Sequence, residues 1–253
     1  MTELQPLVRD NIRLAATVML LRDSARGLQV YMVKRPGRGD FPDLHVFPGG
    51  KVDEDDFATA VCYGIDDATA SARLGISGGG TRYWVAVARE CFEECGVLLV
   101  RRDDQPVRFT RAMVDRFHAY RDDILNGALS FSAMCEREKL KVDCDRLGYF
   151  SHWITPAMAP RRFDTRFFVA AMPPDQDTLA HTRETADDQW EQPATALQNK
   201  VKGSWQMIDP TLRSLETLSK YEDVATALRD IQSGEHLMPL TPELSNQGMQ
   251  PLR

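Results

Sequence analysis

The feature that most restricts the fold is a short segment that is apolar on one side and acidic on the other. Across residues 82–95 the apolar side chains recur at helical spacing, and Gly96 follows, a residue that closes a helix in the left-handed conformation at little cost. At about 100° per residue, Ala88, Cys91 and Cys95 share one apolar stripe. Since such a stripe must face a core, the segment predicts a helix packed on another layer.

The other side of this helix carries three carboxylates, from Glu90, Glu93 and Glu94, together with Arg89. Glutamates at these spacings repel each other by roughly a few tenths of a kcal/mol per pair in an isolated helix. One interpretation is an acidic face open to water. The other is a site for Mg²⁺ or Mn²⁺, which prefer carboxylate oxygens and commonly bind substrate phosphates as well.

The flanking sequence favours an α/β fold. Residues 13–22 and 28–35 are rich in Val, Leu, Met and Tyr and are separated by a short polar break, which predicts a pair of strands. Further strands are predicted at 44–47, 97–101, 150–155 and 166–172, and further helices at 109–125, 131–140 and 214–231 with one interruption near Tyr221. No linker divides the chain, so one domain is expected across residues 1–253.

Composition excludes several functional classes. The net charge of −6 gives no basic field for non-specific nucleic-acid binding. The apolar run at residues 14–21 is too short for a membrane span, which needs roughly 18 residues. Five cysteines without a C-x-x-C pair argue against a disulfide framework or a zinc site, and the expected location is the cytoplasm.

A glycine pair lies upstream of the acidic helix. Gly49 and Gly50 follow the short strand at 44–47, and we predict a turn there. Because glycine has no side chain, the backbone could approach a phosphate closely at this point. A glycine turn near a glutamate-rich helix is a place where a divalent cation could neutralise a diphosphate.

The two segments together resemble the nudix box, G-x5-E-x7-R-E-U-x-E-E-x-G-U, where U is a bulky apolar residue. The second half matches from Arg89 to Val97, with Cys91 where a larger aliphatic residue is usual. The first half ends in Asp56, a shorter carboxylate than the expected glutamate. Between Asp56 and Arg89 the sequence has 32 residues, an insertion of 25 relative to the box. Surface loops lengthen at a cost of roughly 0.6 kcal/mol per doubling, so the site could survive it.

An interrupted box is itself similar to the nudix motif 19 type, the coenzyme A diphosphatase-like subgroup. The stretches 153–168 and 184–197 also resemble that subgroup. The resemblance implies an α/β/α sandwich with a mixed sheet and added helices. We expect insertions at about 57–81 and 107–145 and a helical C-terminal region at about 210–237. The segment at 57–81, with its Gly-rich residues 75–80, is expected to be an exposed, poorly ordered loop near the mouth of the site.

The resemblance also implies the chemistry, hydrolysis of a diphosphate bond with Mg²⁺ or Mn²⁺. By position, Glu90, Glu93 and Glu94 match the metal-binding and base glutamates, and Arg89 matches the arginine that pairs with a box carboxylate. Many relatives take a base or a further metal ligand from a late loop, where this chain has Glu184, with Asp187 as the second candidate.

The substrate-binding candidates are less constrained. Gly49, Gly50, Arg35 and Arg38 could contact substrate phosphates, although the two arginines could equally be ordinary loop charges. Coenzyme A or acyl-coenzyme A is one candidate, and nucleotide sugars, dinucleotides and nucleoside triphosphates stay open. The expected partner is a small diphosphate, with no nucleic acid or membrane and a possible homodimer. The competing hypothesis is a nudix-fold binding module without catalysis, because Asp56 and the insertion depart from the box.

Overall fold

The computed structural model describes residues 7–9, 11–37, 43–159, 161–179, 187–234, 242–245 and 248–251. The strands are β1 (Val8–Arg9), β2 (Ile12–Ser24), β3 (Gly27–Lys34), β4 (His45–Val46), β5 (Gly49–Lys51), β6 (Cys62–Tyr63), β7 (Val100–Arg102), β8 (Gln105–Pro106), β9 (Lys141–Asp143), β10 (Leu147–Ile154), β11 (Arg162–Ala171), β12 (Asp187–Glu191), β13 (Pro242–Ser245) and β14 (Gly248–Pro251). The helices are α1 (Asp67–Leu74), α2 (Thr81–Cys95), α3 (Arg111–Leu125), α4 (Phe131–Glu138), α5 (Pro193–Val201), α6 (Asp209–Leu218) and α7 (Val224–Ser233).

The main sheet is mixed and is centred on the long strand β2. Its strands lie in the order β12-β3-β2-β11-β10-β13-β14. In addition, β5 pairs antiparallel with β2 at Gly49 to Lys51. β2 and β11 run parallel, whereas β2 and β3, the predicted strand pair, run antiparallel. The smaller sheet has the order β6-β9-β7-β8. The prediction of an α/β fold with a mixed sheet is confirmed.

Helices cover both faces of the main sheet because the residues of β2 alternate between two cores. Leu14, Ala16, Val18 and Leu20 pack on the side of α2, and Met19 and Leu21 pack on the side of α6 and α7. On the α2 side, Trp84 meets the ring of Phe168 on β11 edge-on, with 4.9 Å between the ring centroids. The result is a three-layered α/β/α arrangement with α2 lying against the central strand.

The expectation of an exposed, poorly ordered insertion at 57–81 is wrong. This segment contains β6 and α1, and residues 78–80 of its Gly-rich part are buried. Gly80 is helical, with φ −62° and ψ −40°, and its N–H donates to Ser71 Oγ at 2.9 Å. A Cβ on Gly80 would lie 2.3 Å from Ser71 N, so the glycine lets α1 and the start of α2 touch. Because these glycines have no side chains, they allow α1 and α2 to pack closely, and the segment is not a disordered loop.

The helices predicted at 109–125, 131–140 and 214–231 are present. Residues 107–145 hold α3 and α4, and α6 and α7 occupy the C-terminal region, with the interruption at Tyr221 lying between them. Among the described residues, no helix combines the length and the apolar character needed to cross a bilayer.

The close contact at Gly80 gives a test of this packing. In a helical backbone, Gly→Ala normally stabilises a protein by about 0.4–1 kcal/mol. We expect Gly80→Ala to lower the free energy of unfolding by about 1–3 kcal/mol instead, because the added methyl group collides with α1. Urea denaturation would measure the change, and a variant as stable as the wild type would contradict the packing described.

Candidate functional site

Helix α2 carries the acidic half of the site in its last two turns. It begins at Thr81, one residue before the predicted start, and ends at Cys95, where Gly96 closes it with φ 72°. The Gly96 N–H donates to Phe92 O at 2.9 Å, which is the left-handed cap that the sequence predicted. Ala88, Cys91 and Cys95 are fully buried, so the apolar stripe faces the core.

Arg89 is the centre of the charge arrangement. Its guanidinium forms a two-pronged pair with the buried Asp56, both N···O distances being 2.9 Å. It also donates to Glu90 Oε1 at 2.9 Å, to the two oxygens of Glu93 at 3.2 Å and to the carbonyl of Lys51 at 2.7 Å. The shorter carboxylate at position 56 therefore reaches the arginine across the insertion, and the two halves of the interrupted motif meet in space.

The glycine pair forms part of a strand, and the prediction of a turn there is wrong. In β5, Gly50 lies opposite Ala16 and Gly49 lies opposite Thr17 of β2. A Cβ on Gly50 would lie 2.5 Å from Glu90 Oε1, and one on Gly49 would lie 2.4 Å from the Ala16 carbonyl. The Gly49 N–H donates to Glu94 Oε2 at 3.0 Å. Both glycines are thus required for close approach, one to a neighbouring strand and one to a box glutamate.

The three glutamates are not an open acidic face. Glu90 is buried, with 7% of its surface exposed, whereas Glu93 and Glu94 are half-buried. Glu90 and Glu93 both accept from Arg89, and Glu94 accepts from the Gly49 N–H. Within the part of the chain that the structure describes, no three His, Cys, Asp or Glu side chains form a ready-made metal cage. The carboxylate oxygens of Glu90, Glu93 and Glu94 are of the ligand type that Mg²⁺ prefers.

The charges around Glu90 are not balanced. Burial, and then the charges of Glu94 and Glu93, raise the pKa of Glu90 well above its usual range, although Arg89 opposes them. Burial alone would lower the pKa of Arg89, but the Asp56 hydrogen bond and the charges of Glu90 and Asp56 raise it, so the guanidinium stays charged. One fixed positive charge thus faces an excess of carboxylates.

Of the other predicted site residues, the structure describes Arg35 and Asp187 but not Arg38 and Glu184. Arg35 is half-buried just after β3, and its backbone N–H donates to Leu44 O at 2.9 Å. Asp187 opens β12 opposite Lys34, and its neighbour Asp188 accepts from the Tyr31 hydroxyl at 2.8 Å. Arg38 and Glu184 lie outside the described residues.

Three groups at this site escaped the sequence analysis. The Lys51 carbonyl binds Arg89, and no residue type signals a backbone acceptor. Arg121 of α3 donates twice to the Glu93 carbonyl, at 2.9 and 2.7 Å, from 28 residues away. Asp53 approaches Arg89 to 3.7 Å and stands three residues before Asp56, so its proximity could have been inferred from the sequence.

The buried pair of Arg89 and Asp56 gives a matched prediction. We expect Asp56→Ala to lower the free energy of unfolding by about 3–5 kcal/mol, because it leaves a buried guanidinium without its main partner. Asp53→Ala is the control, since the Asp53 side chain is 64% exposed, and it should cost less than about 1 kcal/mol. Equal losses in urea denaturation of the two variants would contradict this assignment.

Comparisons with known proteins agree with this geometry. The NUDT19 Nudix domain model matches residues 80–218, more than half of the chain. A putative nudix hydrolase 7 of Caenorhabditis elegans is 29% identical over 217 residues, which cover 85% of this chain and 63% of that protein. The human acyl-coenzyme A diphosphatase NUDT19 is 22% identical over 236 residues, covering 79% of this chain and 63% of the relative. The Xenopus laevis protein of the same name is 24% identical, covering 68% and 54%.

A solved structure extends the similarity to the whole fold. The NUDIX hydrolase from Alicyclobacillus acidocaldarius superposes with a TM-score of 0.69 at 25% identity, covering 88% of this chain and 97% of that one. The chain spans between about half and two thirds of the length of the curated relatives named above. The family match and the paired halves of the box lead to one conclusion: the chain belongs to the nudix hydrolase family, in the group of the NUDT19 Nudix domain.

Proposed function

We propose that this protein is a divalent-metal-dependent diphosphatase that cleaves a nucleoside diphosphate derivative. The observation that carries the proposal is the grouping of Arg89, Glu90, Glu93 and Glu94 beside the Gly49–Gly50 strand, with Asp56 closing the motif. Oxygen ligands of this kind suit Mg²⁺ or Mn²⁺. The metal candidates are the carboxylates of Glu90, Glu93 and Glu94. A bound metal ion would polarise phosphoryl oxygens and lower the pKa of an attacking water molecule.

The protein's own groups have separate tasks in this proposal. Arg89 holds Glu90 and Glu93 by their carboxylates and so fixes which oxygens remain for a cation. Gly49 and Gly50 let the strand lie close to β2 and to Glu90, and the Gly49 N–H holds the Glu94 carboxylate. Arg35 and Arg38 are candidates for binding further phosphate oxygens.

Glu184 is the proposed base, or a further metal ligand, from a late loop. The Leu179 N–H donates to the Cys95 carbonyl at 2.7 Å, so the chain leaves the end of α2 only five residues before Glu184. Five residues span at most about 17 Å, a length that permits Glu184 to approach the box glutamates. Asp187 and a box glutamate are the alternative bases.

For the substrate, we propose coenzyme A or an acyl-coenzyme A. The support is similarity to relatives named acyl-coenzyme A diphosphatase. Nucleotide sugars and dinucleotides are the alternatives from the same reaction class. The competing function, a nudix-fold binding module without catalysis, was suggested by Asp56 and the insertion. The contact of Asp56 with Arg89 removes the first of those reasons.

The raised pKa of Glu90 predicts how metal binding depends on pH. A carboxyl group with a raised folded-state pKa destabilises the fold as pH rises through that pKa, because its buried form becomes charged. A cation reverses this loss only when the group is ionised. We therefore expect the increase in Tm caused by Mn²⁺ to be small at about pH 5 and larger at about pH 8.

Two variants check that the effect belongs to Glu90. Glu90→Gln should remove most of the pH dependence, whereas Glu54→Gln, which changes an exposed carboxylate nearby, should leave it as in the wild type. A Tm increase that is the same at both pH values, or that survives Glu90→Gln, would argue against a metal site there.

Turnover tests the proposed reaction directly. With Mg²⁺ or Mn²⁺, we expect the protein to cleave coenzyme A or an acyl-coenzyme A into two phosphate monoesters, identified by mass spectrometry. Glu94→Gln should reduce kcat by about 10²-fold or more, as for loss of a positioned catalytic carboxylate. If the wild type cleaved no member of a panel that also includes nucleotide sugars and dinucleotides, the binding-module hypothesis would replace this one.

A further inference from the structure

Helix α2 receives its N-terminal cap from the segment inserted into the box. Its own cap residue, Gly80, has no side chain to offer. Asp67 of α1 accepts from the Gly79 N–H at 2.8 Å and from the Thr81 N–H at 3.0 Å, and also from the Thr81 hydroxyl. A carboxylate at this position satisfies free amides and opposes the positive end of the helix dipole.

The C-terminal end of the same helix is held from the second insertion. Arg121 is 5% exposed and lies on the buried face of α3 with Phe117 and Ile124. Its Nε and Nη2 atoms both donate to the Glu93 carbonyl. A guanidinium at a helix C-terminus satisfies an orphan carbonyl and opposes the negative end of the dipole.

The charges at the two ends are opposite and each matches the dipole of α2. We propose that the two insertions act as clamps on the catalytic helix, with Asp67 and Arg121 as positioning residues that fix its ends. This inference rests on the proposed function for its catalytic meaning, although the contacts themselves do not depend on it.

The clamp at Arg121 bears most directly on the chemistry. Terminal turns of helices open more readily than the middle. The last turn of α2 holds Glu93, which reaches back to Arg89, and Glu94, which bonds the Gly49 N–H. By binding the Glu93 carbonyl, Arg121 restrains the backbone from which both carboxylates project. Loss of this restraint should loosen the proposed metal ligands without removing any of them.

Hydrogen exchange of the metal-free protein tests the clamps without relying on activity. In Arg121→Met, amides of residues 92–97 should exchange about three- to thirtyfold faster, the ratio expected for loss of a partly buried helix-terminus interaction. In Asp67→Asn, the acceleration should be confined to residues 79–84. The controls are Arg116→Met, which removes an arginine of α3 that pairs with Glu138, and Asp66→Asn, which removes the neighbouring negative charge while asparagine still caps α1. Neither control should accelerate exchange in α2.

Mn²⁺ affinity gives a second readout. Arg121→Met should raise the Kd for Mn²⁺ and lower kcat, each by about three- to thirtyfold, with KM changed less. Arg121→Lys keeps the charge but loses the guanidinium that donates two hydrogen bonds. Its Kd and kcat should therefore lie between those of the wild type and Arg121→Met, and it replaces the methionine variant if that variant does not fold.

The outcomes separate this inference from the proposed function. Exchange in α2 that is unchanged in the Asp67 and Arg121 variants, or that rises equally throughout the protein, would overturn the clamps. Localised acceleration in a protein that neither binds Mn²⁺ nor cleaves diphosphates would support the clamps and refute the diphosphatase.

Discussion

The acidic site at the end of α2 depends on one buried guanidinium. Arg89 lies among Asp56, Glu90 and Glu93, and also binds the Lys51 carbonyl, so a single cation connects α2, β5 and the short 3-10 turn at Glu54–Asp56. Without it, carboxylates at this spacing would repel each other in a region of low dielectric constant. Its five donors and flat shape allow several acceptors at once, which a lysine could not satisfy in the same geometry.

Much of the fold followed from local patterns. The helix at 82–95, its end at Gly96 and the strand pair formed by β2 and β3 were predictable because spacing and capping act over a few residues. The resemblance to the box implied that Arg89 pairs with a box carboxylate, without saying which one; its two-pronged partner is Asp56. The prediction for 97–101 was only partly right: β7 begins at Val100, and the buried residues before it follow the helix cap as irregular chain.

The predictions failed at glycine positions and where a contact joins residues far apart in the sequence. Glycine serves both flexible loops and tight contacts, so the sequence alone did not distinguish disorder from the packing of Gly80 on Ser71, or a turn from the β5 strand. Asp67 and Arg121 look like ordinary surface charges of their own helices. Their partners on α2 become visible only once three segments of the chain are brought together, and no local rule anticipates a cap supplied by another helix.

The parallel pairing of β2 with β11 has a consequence for how this chain folds. Ile12 lies opposite Arg162, so the pairing at the centre of the sheet joins residues 150 positions apart. Such a high contact order slows folding, since the loop must close before the contact is gained. During synthesis β2 can pair with β3 as soon as both have emerged, but its other edge stays open until β11, about 150 residues later, has followed. That edge of β2, with its run of apolar residues, is where association between nascent chains would begin.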